Sequence, residues 1–172
     1  MTLQEYKTEA GEIILYNGNP DLNKLEQLAS GYGDIWHSSF EQGYKNAFLE
    51  LEYQSSVLFW YINDFEGLNE CVSWRINPNH FAIRKSAWEI FGGFDADYEN
   101  IQMQALDFGY NALRNQGAVP LYVNGLFTTN EKEKVALSKR DAYVFYIKNF
   151  IPEHAFFMLY RKGFWKLSEW KA

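Results

Sequence analysis

The chain has 172 residues, a length that fits one domain with a single hydrophobic core. Its formal net charge is −6, which argues against a nucleic-acid partner because phosphate binding requires a basic surface. The sequence shows no signal-peptide pattern, and none of its apolar runs approaches the ~20 residues that a membrane span needs. Its single cysteine, Cys71, excludes an internal disulfide and indicates a reducing, cytoplasmic location.

The first third of the chain predicts a strand, a helix and a second strand. Residues 1–10 are polar and predict an edge or a frayed start. Residues 12–16 (EIILY) predict a strand, and the turn-forming residues 17–20 lead into a helix with Pro20 in its first turn. Residues 34–38 (DIWHS) predict the next strand. This order is typical of a parallel crossover unit.

The middle of the chain carries its most apolar run. Residues 42–51 predict a second helix, and residues 55–62 (SSVLFWYI) predict a central strand because the run is short and rich in β-branched and aromatic residues. Asp64 and Glu66 follow that strand directly. The linker 67–75 has no clear period and predicts no regular element.

Residues 78–123 predict a strand, two helices and a further strand. In residues 81–84, Phe81 and Ile83 would face one side of a sheet and Ala82 and Arg84 the other. The run from Ser86 to Glu89 fits a capping box, so a short helix is expected to begin at Ser86 and to end at the Gly-Gly pair 92–93. A longer helix is expected over residues 99–116, ended by glycine 117, before the strand AVPLYV.

The C-terminal part is predicted to be helical, aromatic and basic. Residues 124–133 predict a polar loop, residues 138–150 a helix with Ala142, Phe145 and Phe150 on its packed face, and residues 152–162 a last helix. Residues 139–172 carry seven Lys/Arg against three Asp/Glu, a local balance of +4. Two interpretations stay open: solvated helices on an acidic domain, or peripheral contact with an anionic membrane or an acidic partner. We therefore divide the chain into a compact domain, 1–137, and a helical extension packed on it, 138–172.

Four features follow one another in this part of the chain: the run AIRKSAWEIFGGFD, a helix that carries an acidic residue, a glycine, and the strand AVPLYV. In this order they resemble the acceptor-side half of family 2 glycosyltransferases with the GT-A fold. The likeness covers residues 79–123, and the opening strand that ends in Tyr-Asn is similar to the start of the same enzymes. The resemblance implies an α/β fold with a mixed, mainly parallel sheet flanked by helices, followed by a helical C-terminal tail. It also implies hexosyl transfer from a nucleotide-sugar donor to the hydroxyl of a carbohydrate acceptor.

The resemblance implies a catalytic base and a metal site. The family's Glu-Asp pair falls on Gln104 to Asp107 of this chain, which leaves Asp107 to take the proton from the acceptor hydroxyl. A divalent ion, Mn²⁺ or Mg²⁺, would neutralise the diphosphate leaving group, and hard cations prefer carboxylate oxygens. Two pairs of acids are candidate ligands for this ion. Asp64 and Glu66 have the expected position after the central strand, whereas residues 95 and 97 match the family's Asp-x-Asp motif but follow Gly-Gly-Phe.

Five further residues are candidates for lining the substrate cleft of such an enzyme. Arginine binds phosphate in a bidentate way and tryptophan stacks on sugars, so these residue types suit a nucleotide-sugar. The alternative for the two tryptophans is core packing, and for Asp95 it is a role as acceptor of backbone amides that fixes its loop. The set is Trp74, Arg75, Arg84, Trp88 and Asp95.

A second function stays open beside transfer: a catalytically silent module of the same fold that binds a carbohydrate or a partner protein. The three histidines, His37, His80 and His154, are too far apart in sequence to share zinc-ligand spacing. The chain also lacks a nucleophile elbow and a phosphate loop.

Overall fold

A computed structural model describes residues 1–38, 67–128, 138–153 and 156. Within these ranges the chain forms six strands and four helices. In chain order they are β1 Gln4–Lys7, β2 Ile13–Asn17, α1 Leu22–Ala29, β3 Ile35–His37, β4 Glu70–Val72, β5 Phe81–Arg84, α2 Lys85–Phe91, α3 Ile101–Asn115, β6 Pro120–Val123 and α4 Lys139–Asn149. The predicted helix at 42–51 and the predicted central strand at 55–62 lie outside the described residues.

The six strands form one mixed sheet in the order β1-β2-β5-β3-β6-β4. Only the β3–β6 pair is parallel among the described strands, and the other four pairs are antiparallel. An α/β fold with a mixed sheet is thus confirmed, but the prediction of a mainly parallel sheet is wrong for the described strands. Strand β5 accounts for two of the four antiparallel pairs, because it lies between β2 and β3 and runs against both. The pairs β1–β2 and β4–β6 are the other two.

The crossover unit predicted from the first third of the chain is present in modified form. Strands β2 and β3 both run antiparallel to β5, so they share one direction, as expected for strand–helix–strand. They are not neighbours in the sheet, because β5 pairs with both of them. Helix α1 begins after Asp21, whose carboxylate accepts from the amides of Asn23 and Lys24. Pro20 therefore precedes the helix and is not in its first turn.

Strand β5 is the interior strand that its alternation predicted. Phe81, Ala82 and Ile83 are all fully buried. Phe81 and Ile83 join one core cluster and Ala82 joins the other, which confirms that successive side chains face opposite sides of the sheet.

Helix α2 begins one residue earlier than the sequence suggested. It starts at Lys85, directly after β5, and Arg84 takes the N-cap position without a side-chain cap. The capping box predicted for Ser86 is therefore wrong: with no loop residue between strand and helix, Ser86 already lies inside the first turn. The predicted end is confirmed, since Gly92 adopts φ 78° and its amide donates to the Trp88 carbonyl at 3.1 Å.

Helices cover both faces of the sheet. One core cluster packs α2 and α3 against the side of the sheet that presents Leu15, Ile35, Phe81 and Ile83. The other packs α1, through Leu25, against the side that presents Ile14, Trp36, Ala82 and Leu121. Because each buried Ile, Leu or Phe contributes about 1.5–3 kcal/mol, these two clusters stabilise the packing of the helices on the sheet.

Helix α3 matches its predicted span to within two residues at either end. Asn100 caps it by accepting from the amide of Gln102 at 2.8 Å, and Gly117, just beyond its end, has φ 70°. In its middle, Gly109 allows a close backbone approach: a Cβ placed there would lie 2.1 Å from the Trp74 carbonyl oxygen. A side chain at this position would therefore push α3 away from the segment before β5.

The remaining described elements are β1, β4 and α4. The polar start forms the edge strand β1, as predicted, whereas β4 arises in the linker 67–75, where no element was expected. Helix α4 confirms the predicted helix at 138–150: Ser138 caps it, and Ala142 and Phe145 are buried as expected. Beyond residue 156 the C-terminal segment lies outside the described residues, and the two-part division of the chain stays a prediction.

Candidate functional site

Asp107 lies in the second turn of α3 and is almost entirely buried, with 6% of its surface exposed. Two side chains donate to the same carboxylate oxygen. The Tyr98 hydroxyl is 2.7 Å from Oδ1, and the Asn149 amide nitrogen is 2.5 Å from it. Among the described residues no side chain donates to Oδ2. The carboxylate is thus held by one oxygen, in a setting largely shielded from water.

The surroundings of this carboxyl group change its acid strength. Burial raises the pKa of Asp107, and the hydrogen bonds from Asn149 and Tyr98 lower it by less. Burial also raises the pKa of Tyr98, and the neighbouring Asp107 raises it further, so Tyr98 stays protonated as a donor. Asp107 is therefore a stronger base than a carboxylate in water.

The loop before α3 brings a second pair of acids close to this group. Asp95 accepts from the amide of Asp97 at 2.9 Å, which confirms that it fixes its own loop. The Lys148 ammonium forms an ion pair with Asp95 and another with Asp97, the latter at 2.7 Å, and it lies 5.3 Å from the centre of the Tyr98 ring. Lys148 thus connects Asp95 to the Tyr98–Asp107 pair.

The charges in this pair of acids are already balanced. Burial raises the pKa of Asp95, but hydrogen bonds from Lys148 and from the Asp97 amide outweigh this and hold the pKa below its usual range. Burial lowers the pKa of Lys148, and its bonds to the two aspartates raise it by more. Because an ammonium group sits between the two carboxylates, residues 95 and 97 do not fit a divalent cation here.

The sequence indicated neither Tyr98, in the loop before α3, nor the residues that helix α4 supplies to the site. Lys148 and Asn149 reach Asp95 and Asp107, and at the other end of the helix Asp141 accepts from the amides of Glu99 and Asn100 at 3.0 and 2.9 Å. These contacts join positions 41 to 53 residues apart in the sequence. No local pattern in the sequence could have revealed them, although a lysine and an asparagine in the last turn of a predicted helix were visible.

Arg84 lies away from Asp107 and joins β5 to the end of α1. Its guanidinium donates to the carbonyls of Gly33, Ala29 and Gly31 at 2.9, 2.9 and 3.1 Å, and it pairs with Glu12. It also lies 5.1 Å from the centre of the Trp36 ring. These contacts satisfy carbonyls at the end of α1 that have no partner within the helix.

The two tryptophans assigned to the cleft have aromatic neighbours in the core. Trp74 is fully buried and lies edge-on to Tyr110 at 5.5 Å and parallel to Phe145 at 6.5 Å. Trp88 contacts Phe94 and Phe108, the residues next to Asp95 and Asp107 in sequence. The core interpretation is thus observed for Trp74, while Trp88 is half-buried and packs against the rings of Phe94 and Phe108.

Arg75 and His37 are both fully buried, and His37 lies opposite Phe81 on the neighbouring strand. Arg75 is fully buried, and its backbone amide lies 3.3 Å from the Ser73 hydroxyl. His37 Nε2 lies 2.8 Å from the Ser73 carbonyl, while its buried Nδ1 has no hydrogen-bond partner among the described residues. Burial, with a smaller contribution from the Arg75 charge, lowers the pKa of His37 to about 4. His37 is therefore neutral at pH 7.

The structure brings Asp95 and Asp107 into one network, places Trp88 beside it, and places Arg84 elsewhere. Asp64 and Glu66 lie outside the described residues. Within the described ranges, no three His, Cys, Asp or Glu side chains gather in a group that could hold a metal ion. None of the helices in those ranges is long and apolar enough to cross a membrane.

Comparison of the chain with protein-family models, with curated proteins and with solved structures gave no match.

Proposed function

We propose that the protein transfers a sugar from a nucleotide-sugar donor to an acceptor hydroxyl, with Asp107 as the catalytic base. One observation carries the proposal: a buried carboxylate with a raised pKa, held by Tyr98 and Asn149, in the helix after a Gly-Gly-Phe-Asp loop. That helix is where the resemblance to family 2 glycosyltransferases assigns the base.

The reaction requires one proton transfer and one substitution at carbon. Asp107 takes the proton from the acceptor hydroxyl, and the acceptor oxygen forms a bond to the anomeric carbon of the donor sugar. The bond from that carbon to the diphosphate oxygen breaks, and the nucleoside diphosphate leaves with the bonding electrons. A positioned base of this kind typically contributes ~10² to 10⁴ in rate, and it works best when its pKa approaches the working pH.

The raised pKa of Asp107 suits this role. Carboxylates in water are weak bases at neutral pH, and burial makes the ionised form of Asp107 less stable and so more ready to accept a proton. Structural carboxylates more often show the opposite change, as Asp95 does beside Lys148. A buried acid with a raised pKa in a polar network is a candidate for function on these physical grounds.

The donor side of the proposal rests on the resemblance. Arg75 and Trp74 lie on the segment before β5, and Trp88 packs beside the Asp95 loop. Neutralisation of the diphosphate by Mn²⁺ or Mg²⁺ at Asp64 and Glu66 stays a prediction, as does substrate binding by Arg84. We also retain a cytoplasmic setting, and for the C-terminal segment both interpretations stay open: helices packed on the domain, or peripheral contact with an anionic membrane or an acidic partner.

The test compares donor binding with turnover in Asp107→Asn. A thermal-shift screen of nucleotide sugars with Mn²⁺ and Mg²⁺ identifies the donor, and release of nucleoside diphosphate measures turnover. We expect Asp107→Asn to bind the donor like the wild type but to lose ~10² to 10⁴ in rate. The fold should tolerate the change, because the neutral amide avoids the cost of a buried charge. Asp21→Asn is the matched control, since asparagine caps α1 as well as aspartate does. Turnover of Asp107→Asn like that of the wild type would remove the assignment of the base.

A second candidate is a catalytically silent module that binds a carbohydrate or a partner protein. It is favoured by one observation: Arg84, Asp95 and Lys148 already have partners within the chain. A wild-type protein that binds no nucleotide sugar with either metal would make this candidate the better one.

A further inference from the structure

We infer that Tyr98 and Asn149 are positioning residues that hold the Asp107 carboxylate by one oxygen, so that α4 completes the active site. The inference rests on the proposed function, because it assigns the two residues to the base of that reaction. It extends the site beyond the region that resembles glycosyltransferases, since Asn149 lies 26 residues after Val123, the last residue of that region.

The first step is the geometry at the carboxylate. Tyr98 and Asn149 come from different elements, the loop before α3 and the end of α4, yet both donate to Oδ1. A carboxylate fixed at one oxygen keeps the other oxygen available for a proton.

The second step is that the Asn149 amide is itself held in one orientation. Its Oδ1 accepts from Asn111 Nδ2 at 3.0 Å, so its NH₂ group is turned towards Asp107. Asn111 also donates to the Asp107 backbone carbonyl at 3.0 Å, one turn earlier on α3. The network assigns the orientation of both amides, because the reverse orientation of Asn149 would place its oxygen against the carboxylate.

The third step is that α4 is anchored to α3 at both of its ends. At its start, Asp141 is fully buried and accepts from the amides of Glu99 and Asn100. At its end, Asn149 reaches Asp107. Between them, Phe145 packs on Trp74 and Tyr110. Asn149 is therefore held in place by packing, which a positioning residue requires.

A contact that only docks α4 would stabilise the fold without affecting proton transfer. The variants Asn149→Ala and Tyr98→Phe distinguish the two roles, because each removes one donor to the carboxylate. Asn124→Ala is the matched control: its side chain pairs with Asn69 at 3.3 Å, and it makes no contact with Asp107. If Asn149→Ala does not fold, Tyr98→Phe, which removes one hydroxyl, still provides the test.

One measurement does not depend on enzymatic activity: the pH titration of the Asp107 carboxyl carbon, followed by NMR. The resonance of this carbon is identified as the one that is missing from the spectrum of Asp107→Asn. Since a donor stabilises the ionised carboxylate, we expect the pKa of Asp107 to be higher in Asn149→Ala and in Tyr98→Phe than in the wild type, and unchanged in Asn124→Ala. Unchanged titration in both variants would overturn the inference.

The kinetic measurement is the pH profile of sugar transfer. We expect the acidic limb of kcat to move to higher pH in both variants, with kcat reduced by about 10-fold and KM unchanged, a smaller loss than that of the base itself. If KM rises while the kcat profile stays in place, the residues do not act through Asp107 and the inference fails. If the wild type transfers no sugar, the proposed function fails, and the NMR titration still decides whether the two residues control the carboxylate.

Discussion

His37 makes the stability of the protein depend on pH in a way that the structure specifies. The ring is fully buried, Nδ1 has no partner in the part of the chain that the structure describes, and burial lowers the pKa to about 4, against an ordinary value of 6.5. Between these two pH values the unfolded chain binds a proton that the folded chain does not. The contribution of neutral His37 to the free energy of unfolding is therefore fully present above pH 6.5 and is lost as the pH falls from 6.5 towards 4.

The magnitude follows from the same two values. Each pKa unit corresponds to about 1.4 kcal/mol, so the drop from 6.5 to about 4 corresponds to about 3 kcal/mol. His37→Gln keeps a donor towards the Ser73 carbonyl and removes the titration. Urea unfolding at pH 7.5 and at pH 4.5 should show the wild type losing about 2–3 kcal/mol more than His37→Gln. Equal losses in the two proteins would refute this account of His37.

Two further substitutions test the packing of the sheet and of α3. Arg84→Lys keeps the charge, but a lysine cannot reach the carbonyls of Gly33, Ala29 and Gly31 together. We therefore expect the free energy of unfolding, measured in urea, to fall by about 1–3 kcal/mol. Lys85→Met serves as control: it removes the exposed ion pair with Glu5 and should change the free energy of unfolding by no more than about 0.5 kcal/mol. Gly109→Ala places a methyl group against the Trp74 carbonyl and should lower the free energy of unfolding by about 2–3 kcal/mol, even though alanine favours helix. An Arg84→Lys variant as stable as the wild type, or a neutral Gly109→Ala, would contradict the respective contact.

Local features of the fold could be predicted from the sequence because short-range physics decides them. The alternation in β5 reflects burial on two faces, and Gly92 and Gly117 end helices because glycine accepts a positive φ. The start of α2 could not be predicted in the same way. The pattern at Ser86 fits a capping box, but the strand enters the helix without a loop, so the cap falls on Arg84.

The direction and neighbours of the strands are decided by long-range pairing, which periodicity does not encode. The same alternation in β5 suits a parallel or an antiparallel neighbour, and the expectation of a mainly parallel sheet came from the resemblance. Likewise Asp107 could be proposed as base from its position after the Gly-Gly-Phe-Asp loop, while its partner Asn149 required the packing of α4 on α3.

The most direct test of the central claim is the release of nucleoside diphosphate from a nucleotide sugar by the wild type and by Asp107→Asn, in the presence of acceptor and metal. The account predicts turnover by the wild type and a loss of ~10² to 10⁴ in the variant, with donor binding unchanged. Equal turnover by the two proteins would contradict it.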